Sequence, residues 1–269
     1  KQDNFKNVPG LPFSYWVSEA IIKPFVNPAL GTVLTTREGM ATAGNDRFLR
    51  NWFEIPINEI LFNCNNSVEA LQSGYKWFPY NKGGDYRKWY GNNELVVNWY
   101  NDGFEIRNNI DLETGRIRSH NYNGSFGFRE GITWSSISAG DISVRYSESG
   151  FLFDSKGAKG FCDDSQKLLF IQALLNSKVS KEYLKIFSPT MDFKVGVIIL
   201  IPLYHEIFDK ITPIILSIMC FCQDHRTDNY LYHDAFLGLR RNTNSKSSHS
   251  DNGFFDFFIS FPHFHIILT

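Results

Sequence analysis

Two β-rich runs decide the fold class of this chain, Leu95-Val96-Val97-Asn98-Trp99-Tyr100 and Ile142-Ser143-Val144-Arg145-Tyr146. Both combine β-branched and aromatic residues, which favour extended backbone in a pleated sheet. Glycine turns such as Gly83-Gly84 and Asp102-Gly103 separate runs of this kind throughout residues 74–155. Short runs between frequent turns predict antiparallel strands joined by long loops.

Helical periodicity follows this β-rich region. Apolar residues recur at helical spacing over residues 165–187, and Pro189 follows as a stop signal. The apolar run at 195–203 predicts a buried strand, and residues from about 204 to 222 predict another helix. The sequence therefore predicts an α+β fold, in which an antiparallel, β-rich domain with long loops packs with flanking helices.

Two short helices are predicted before the β-rich region. One lies within residues 9–26 and should end near Lys23, because the proline that follows disfavours helix in the preceding residue. The other lies within residues 45–52, where the side chain of Asn45 or Asp46 could cap its first turn.

The charge balance limits the classes of partner. The 269 residues include 27 basic and 28 acidic residues, which gives a formal net charge of −1. A polybasic nucleic-acid tail is therefore excluded, and any nucleic-acid contact must come from a local patch. Aromatic residues make up 16% of the chain, and such rings either fill cores or stack on bases.

Cysteine usage favours reduced thiols in the cytoplasm, because four unevenly spaced cysteines do not make a disulfide scaffold. Cys220 and Cys222 could form a zinc site with His225 and His233, but no second cysteine pair exists, and two buried thiols on an apolar segment are the favoured interpretation. The sequence shows no signal peptide and no apolar stretch of the roughly 20 residues that cross a bilayer. We therefore expect a cytoplasmic protein without a membrane partner.

The segment most informative about function is Lys76-Trp77-Phe78-Pro79-Tyr80-Asn81-Lys82-Gly83-Gly84-Asp85-Tyr86-Arg87-Lys88-Trp89-Tyr90-Gly91-Asn92. Four basic residues face one acidic residue in it, and aromatic residues are interleaved with them. Lys and Arg can neutralise phosphates, aromatic rings can stack on an exposed base, and paired glycines let backbone approach a ligand. A solvated hairpin with a partly buried aromatic face explains the same residues, so residue chemistry alone leaves both interpretations open.

Two further segments carry polar groups suited to DNA. Residues 35–50 form a small-residue loop before a helix, with three arginines and one asparagine that could reach phosphates or base edges. Residues 128–138 place hydroxyl groups and a tryptophan beside a glycine turn. The structural alternatives are a connector whose arginines pair with Glu38 and Asp46, and an ordinary strand start.

The sequence contains none of the common catalytic motifs. It has no Gly-x-Ser-x-Gly elbow, no His-Glu-x-x-His, no P-loop and no Gly-x-Gly-x-x-Gly that opens a helix after a strand. The seven histidines are scattered, and carboxylates such as Glu130 have no partner at a telling spacing. We therefore expect no catalytic, cofactor-binding or metal-binding residue in this chain.

Ten segments follow one another in a recognisable order, at residues 9–18, 36–39, 44–52, 76–92, 96–99, 130–135, 150–154, 174–178, 189–196 and 201–203. In this order they resemble the carboxy-terminal portion of the PglX-type adenine-specific DNA methyltransferases of BREX phage-defence systems. The resemblance covers roughly residues 9–203, and its specificity lies in the ordered set. It implies residues 1–30 as the end of a catalytic domain or a connector and residues 31–204 as a target-recognition domain.

The resemblance also implies what lies outside this chain. In the family, a catalytic domain binds S-adenosylmethionine and methylates the N6 atom of a flipped adenine. Its Asn/Asp-Pro-Pro-Tyr/Phe signature and glycine-rich cofactor motif are missing here, since Asn27-Pro28-Ala29-Leu30 matches only two of four positions. We expect S-adenosylmethionine in the full-length enzyme only, and a fragment that starts at Lys1 without Met and is inactive alone.

The resemblance fades after about residue 204. The family usually continues with a helix and a segment that bears Trp and acidic residues, whereas here a low-complexity run at 242–252 precedes a Phe cluster at 254–261. Residues 205–269 are therefore expected to form a helix and a divergent, partly disordered tail. Either a shifted reading frame or simple divergence would explain why this tail differs from the end of the family's sequences.

The resemblance makes the loops at 36–50, 76–92 and 130–138 the candidate DNA-contact loops. We expect phosphate or guanine contacts from the basic residues Arg37, Arg47, Arg50, Lys76, Lys82, Arg87 and Lys88. Base-edge readout is expected from the polar residues Asn45, Asn81 and Thr133, and stacking or bracing from the aromatic residues Trp77, Tyr80, Tyr86 and Trp89. Close backbone approach is expected at Gly83 and Gly84.

Double-stranded DNA is the partner that this reading implies first. The missing amino-terminal methyltransferase domain and other proteins of the BREX system are further candidates. The alternative function is a protein-interaction module of a defence complex without direct DNA readout, because aromatic-rich loops also make good protein interfaces.

Overall fold

The computed structural model describes residues 17–204, apart from residues 121, 123, 139 and 189–191, and two paired strands near the carboxyl end. Those two are β9 (Ser260–Phe261) and β10 (Phe264–His265), which pair antiparallel. The predictions for residues 9–16 and Pro189, for the helix from about residue 204, for the cysteine pair and for the rest of the tail lie outside the described residues.

The other elements alternate along the chain. The helices are α1 (Glu19–Ile22), α2 (Asn45–Phe48), α3 (Ser67–Ser73), α4 (Tyr100–Arg107), α5 (Ser165–Asn176), α6 (Lys178–Phe187) and α7 (Val195–Ile198). The strands are β1 (Thr35–Arg37), β2 (Leu49–Asn51), β3 (Trp77–Asn81), β4 (Leu95–Asn98), β5 (Gly131–Trp134), β6 (Val144–Ser147), β7 (Leu152–Phe153) and β8 (Lys159–Phe161). They form two four-stranded sheets.

The first sheet, sheet A, is antiparallel with strand order β1-β8-β5-β6. One face is apolar because Ile132, Trp134 and Val144 alternate with polar residues along the strands. Helices α5, α6 and α7 cover this face and bury a large core with it. Trp134 fits that core because its indole N–H donates to the Phe193 carbonyl at 2.9 Å.

The second sheet, sheet B, has strand order β2-β4-β3-β7, with β7 parallel to β3 and the other pairs antiparallel. Strand β3 lies inside it, and all five of its residues are buried. One core cluster of the sheet includes Phe78, Tyr80 and Val97, and a second includes Trp77 and Val96. The alternation along β3 and β4 thus buries both faces of the sheet.

These elements confirm the α+β fold and the antiparallel, β-rich middle of the chain. Residues 165–187 are helical as predicted, but they form two helices that break at Ser177, whose backbone is extended with ψ 159°. The Ser177 hydroxyl accepts from the Ser180 N–H and so caps α6. Residues 131–134 form strand β5, which agrees with the alternative interpretation of residues 128–138 as an ordinary strand start.

Three local predictions are corrected by the structure. Residues 195–203 are not a strand: α7 occupies 195–198, and the chain then runs irregularly beside residues 28–31, where Leu30 N donates to Ile201 O at 2.8 Å. No side chain caps α2, which begins at Asn45 and ends at Phe48. The helix predicted for residues 45–52 is also shorter than expected, because the chain continues directly into β2, which pairing with β4 holds extended.

Near the amino end, α1 stops at Ile22 and a 3-10 turn continues through Pro24 to Val26. The predicted stop near Lys23 is therefore confirmed for the α-helix. Across the described residues, no helix is both long and apolar enough to cross a membrane.

Candidate nucleic-acid interface

The segment 76–92 contains strand β3, which separates its two ends in space. Lys76 is exposed at its start, whereas Lys82 follows its end. Five residues of extended strand span about 16 Å, so these two lysines lie at opposite ends of sheet B. The segment is therefore one strand and one loop, with a basic residue at each junction.

The middle of this segment is closed to solvent. Tyr80 is fully buried, and its hydroxyl donates to the Met40 carbonyl at 3.1 Å and to the Asp154 carboxylate at 3.0 Å. Burial and the Asp154 carboxylate raise the pKa of Tyr80 well above its usual value. Trp77 and Asn81 are 7% and 1% exposed, so these side chains brace the sheet. None of these three side chains is accessible to a ligand in this structure.

The paired glycines turn the chain immediately after β3. Both have positive φ, 89° at Gly83 and 124° at Gly84, a conformation that L side chains rarely adopt. The turn packs closely: a Cβ on Gly83 would lie 3.1 Å from the Lys156 carbonyl oxygen, and Ser135 Oγ donates to Gly84 O at 2.9 Å. The paired glycines thus allow this turn to pack closely against residues 135 and 156 of the same chain.

A second loop adjoins this turn. A Cβ on Gly157 would lie 2.8 Å from the carbonyl carbon of Lys82, and Ser136 N donates to Lys156 O at 2.8 Å. Lys82 is partly exposed and Lys156 is exposed. Neither has an ion pair with any described residue. The contacts therefore bring two free lysines together on adjoining loops.

Residues 85–91 run along the edge of sheet A. Trp89 N donates to Val144 O at 3.0 Å, and Tyr146 N donates to Trp89 O at 2.7 Å. Lys88 Nζ donates to the carbonyl of Asn176 at 3.1 Å, at the end of α5. Trp89 packs partly buried against the main core. These contacts hold the loop as an additional edge segment.

Two side chains of this loop remain accessible. Tyr86 is 55% exposed. Arg87 forms a 3.8 Å ion pair with Glu94, and its side chain is 39% exposed. An exposed pair of this length contributes little to stability, so Arg87 is free to exchange Glu94 for a phosphate. Lys88, by contrast, is engaged at the end of the helix.

In the loop at 36–50, too, some candidate side chains are accessible and others are engaged in contacts within the chain. Arg37 is exposed, and its guanidinium lies 4.7 Å from the centre of the Phe126 ring. Asn45 is exposed as the first residue of α2, where its side chain accepts from the Thr42 hydroxyl at 2.9 Å. Arg47 pairs with Glu105 at 3.4 Å, and Arg50 donates to the carbonyls of Asp46 and Leu49. Arg47 thus lies toward α4, away from the paired glycines.

Thr133 belongs to a polar row across sheet A, which is buried except at its exposed end, Arg37. Strand pairing places Arg37, Lys159, Thr133 and Arg145 side by side on the face opposite the helices. Thr133 is 1% exposed, and its hydroxyl donates to Ala158 O at 3.0 Å. Direct base-edge contact by Thr133 would need strand β5 to leave sheet A, so Thr133 also stays outside the proposed surface.

The buried row contains two cations that the sequence reasoning did not single out. Lys159 Nζ donates to Ser147 Oγ at 2.8 Å, and Ser147 donates to Asn81 Oδ1 at 2.6 Å. Burial lowers the pKa of Lys159 to about 7 and that of Arg145 to about 10. The network joins the polar face of sheet A to the end of β3. Charged residues within β-rich runs are the signal that could have pointed to this network.

We define the basic edge as Lys82, Tyr86, Arg87 and Lys156. Lys156 is the member that sequence reasoning missed, because it lies outside all three candidate loops. No local motif in the sequence marks Lys156, and only the close packing of the next residue, Gly157, against residues 81–83 places it beside Lys82. The edge unites the loops at 76–92 and 130–138, since Ser135 bonds Gly84 and Ser136 bonds the Lys156 backbone.

Other chemistry finds little support in the described part of the chain. No group of three or more candidate metal ligands occurs there. Cys64 and Cys162 are free thiols, and burial raises the pKa of Cys64 to about 11, which disfavours a reactive thiolate. Asp164 is occupied as the cap of α5. The arrangement is suited to holding a polyanion at the basic edge.

Comparison with known proteins gives the relationship of the chain. It is 50% identical over 205 residues to the adenine-specific methyltransferase PglX of Lacticaseibacillus casei, which is 76% of this chain and 17% of the relative. It is 40% identical over 200 residues to the adenine-specific methyltransferase BrxX of Escherichia coli, which is 72% of this chain and 15% of the relative. No protein-family model matches the chain.

The chain therefore spans about a sixth of the length of these relatives. Identity of 40–50% over some 200 residues implies common ancestry and a shared local fold, and it confirms the resemblance seen in the sequence. The chain is a segment related to the PglX and BrxX adenine-specific methyltransferases.

Proposed function

We propose that residues 31–204 form a target-recognition domain that binds double-stranded DNA for a site-specific adenine-N6 methyltransferase of BREX phage defence. The observation that carries this proposal is the basic edge, where the backbones of the loops that carry Lys82 and Lys156 pack closely and neither lysine has an ion pair with a described residue. Phosphate contacts of this kind position a protein on a duplex and make its affinity depend on salt. The relationship to adenine-specific methyltransferases supports DNA as the polyanion.

The methyl transfer itself belongs to the longer enzyme in this proposal. S-adenosylmethionine binds there, in an amino-terminal domain that carries the catalytic motif, and the present chain supplies DNA binding in the cytoplasm. Incubation of the chain with S-adenosylmethionine and duplex DNA should then give no N6-methyladenine. Methylation above the background of a chain-free control would overturn this division of roles.

The central test measures duplex binding by fluorescence anisotropy over a salt series. Lys82→Glu with Lys156→Glu should weaken binding at least about tenfold and reduce the slope of log Kd against log salt by about two. The matched control is Lys185→Glu with Lys194→Glu, the same charge change at two exposed lysines elsewhere. Equal effects of the two double variants would count against a localised basic edge.

A second candidate function, protein interaction, rests on an apolar surface beside α3 and α4. Val68 and Leu71 lie on one face of α3 at 62% and 48% exposed, and α3 packs against α4, which exposes Tyr100 and Phe104. Replacement of Lys82, Arg87 and Lys88 together by Ala separates the two functions. DNA binding should collapse if the chain reads DNA and survive if its role is protein interaction alone.

A further inference from the structure

Residues 109–120 form a projecting hairpin that no strand of either sheet accompanies. Ile110 and Ile117 pair as an isolated antiparallel bridge, Asp111 N donates to Arg116 O at 2.9 Å, and Arg118 N donates to Asn109 O at 2.8 Å. The hairpin is therefore a two-stranded ribbon that stands away from the two sheets.

The tip of this hairpin is held by its own side chains. Asp111 Oδ1 accepts from Glu113 N at 3.1 Å, from Thr114 N at 2.8 Å and from Thr114 Oγ1 at 2.9 Å. These hydrogen bonds lower the pKa of Asp111, so its carboxylate remains ionised and turned onto the loop. Gly115 supplies the positive φ, 68°, that closes the turn. The tip is pre-formed and needs little ordering on binding.

This tip presents apolar and basic side chains to solvent. Leu112 is 98% exposed, and Ile110 and Ile117 are 48% and 59% exposed. Arg116 and Arg118 are also exposed, as is Glu113, and Arg118 contributes to the lowered pKa of the Asp111 carboxyl. A leucine with almost no contact to its own chain, beside two exposed guanidinium groups, fits insertion into a partner whose phosphates those groups can contact.

Both ends of the hairpin are fixed to the loop that adjoins the basic edge. His120 and Ala41 exchange backbone hydrogen bonds at 3.0 and 3.1 Å, and Asn109 Nδ2 donates to Thr42 O at 3.1 Å. The same loop is bound one residue earlier, where Ser155 N donates to Met40 O at 3.1 Å, next to Lys156. A continuous chain of backbone contacts thus links the hairpin to Lys156.

We propose that this hairpin is a DNA wedge, in which Leu112 enters a base step while Arg116 and Arg118 contact the flanking phosphates. The proposal rests on the proposed function and adds a specific element to it. Apolar side chains that enter a base step unstack it, and a two-stranded ribbon is narrow enough for a groove of the duplex. Chemistry at adenine N6 requires the base to leave the stack, so a wedge matches the reaction of the relatives.

The first test compares two 30-base-pair duplexes of the same sequence, one intact and one with a central abasic site. A wedge binds the abasic duplex more tightly because its stacking is already broken, and we expect a preference of at least about threefold for the unmodified chain. Leu112→Ala should bring the ratio of the two Kd values close to one. The matched control is Leu71→Ala, an exposed leucine on α3, which should keep the ratio.

The second test replaces Arg116 and Arg118 together by Ala. The slope of log Kd against log salt should fall by about two on both duplexes, while the preference for the abasic duplex remains. Thermal unfolding of the leucine variant and of the double arginine variant should match that of the parent, since the side chains of Leu112, Arg116 and Arg118 are all exposed.

The outcomes separate this inference from the proposed function. If the chain binds both duplexes equally in a salt-dependent manner, the wedge is overturned and DNA recognition stands. If the parent binds neither duplex, both fail. Unchanged DNA binding in the leucine and arginine variants overturns the wedge and leaves the hairpin to a protein partner.

Discussion

Strand β3 and the loop at 82–88 are neighbours in sequence and similar in composition, yet they have opposite environments. Trp77 and Tyr80 are buried in β3, whereas Tyr86 in the loop is 55% exposed. β4 and β7 pair with β3 on both sides, while the loop turns away at Gly83 and Gly84. An aromatic and basic composition therefore does not identify a binding surface, because sheet neighbours decide which rings are enclosed.

Lys159 and Lys156 repeat this contrast within three residues. Lys159 is fully buried on the polar face of sheet A, and Lys156 is exposed on the loop before β8. Both are ordinary lysines in the sequence. Only the strand pairing of Lys159 with Thr133 and Arg37 shows that one is structural and the other is available to a ligand.

The largest effect is expected from Tyr80→Ala. The change opens a cavity in the core and leaves Asp154 with one hydrogen bond fewer, so the free energy of unfolding should fall by roughly 3–5 kcal/mol. Denaturant unfolding measures this difference. Tyr86→Ala is the matched control and should change stability by less than about 0.5 kcal/mol. Similar losses in the two variants would contradict the contrast between strand and loop.

A pH-dependent effect is expected from Lys159→Met. Burial holds the pKa of Lys159 at about 7 in the folded protein, against 10.5 normally. Between these values the unfolded chain binds a proton that the folded protein does not, so this group makes the protein more stable as pH rises. The free energy of unfolding of the parent minus that of the variant should increase by roughly 2 kcal/mol from pH 7 to pH 9.

Lys156→Met is the control for this measurement. The Lys156 side chain is exposed in the folded protein as it is in the unfolded chain, so the corresponding difference should be flat. A flat difference for Lys159→Met as well would show that the Lys159 ammonium reaches solvent in the folded protein.

The smallest effect is expected from Lys88→Met, which retains most of the apolar stem and removes the ammonium. The loss of the 3.1 Å hydrogen bond to the carbonyl of Asn176 should reduce stability by about 1 kcal/mol. Thermal unfolding of Lys178→Met, an exposed lysine at the start of α6, provides the baseline. If the two variants melt alike, Lys88 does not tether the loop, and its exclusion from the basic edge loses its ground.

Sequence periodicity was sufficient for the longer elements. The apolar spacing over 165–187 gave helix, and the β-branched runs at Leu95 and Ile142 gave strands. It failed at residues 195–203, where β-branched residues suggest a strand but no sheet edge receives them. Pairing of residues 29–31 with 199–202 holds that segment instead. Local propensity is a weak preference that such tertiary contacts override.

The candidate site was predictable in part, for the same reason. Lys82, Tyr86 and Arg87 were named from composition and remain accessible. Trp77, Asn81 and Thr133 were named on equal grounds and are enclosed. Lys156 and the hairpin arginines carry no local motif, so only their position beside the other loops brings them into the surface.

The sequence by itself determined the α+β class, the absence of a known catalytic motif and the relationship to adenine-specific methyltransferases. Each of these is written in residue types and their order along the chain. The tertiary structure alone decided which cations are buried, which loops adjoin and where a hairpin projects. Those features depend on contacts between residues far apart in sequence, such as Ala41 with His120, and no local pattern encodes such pairs.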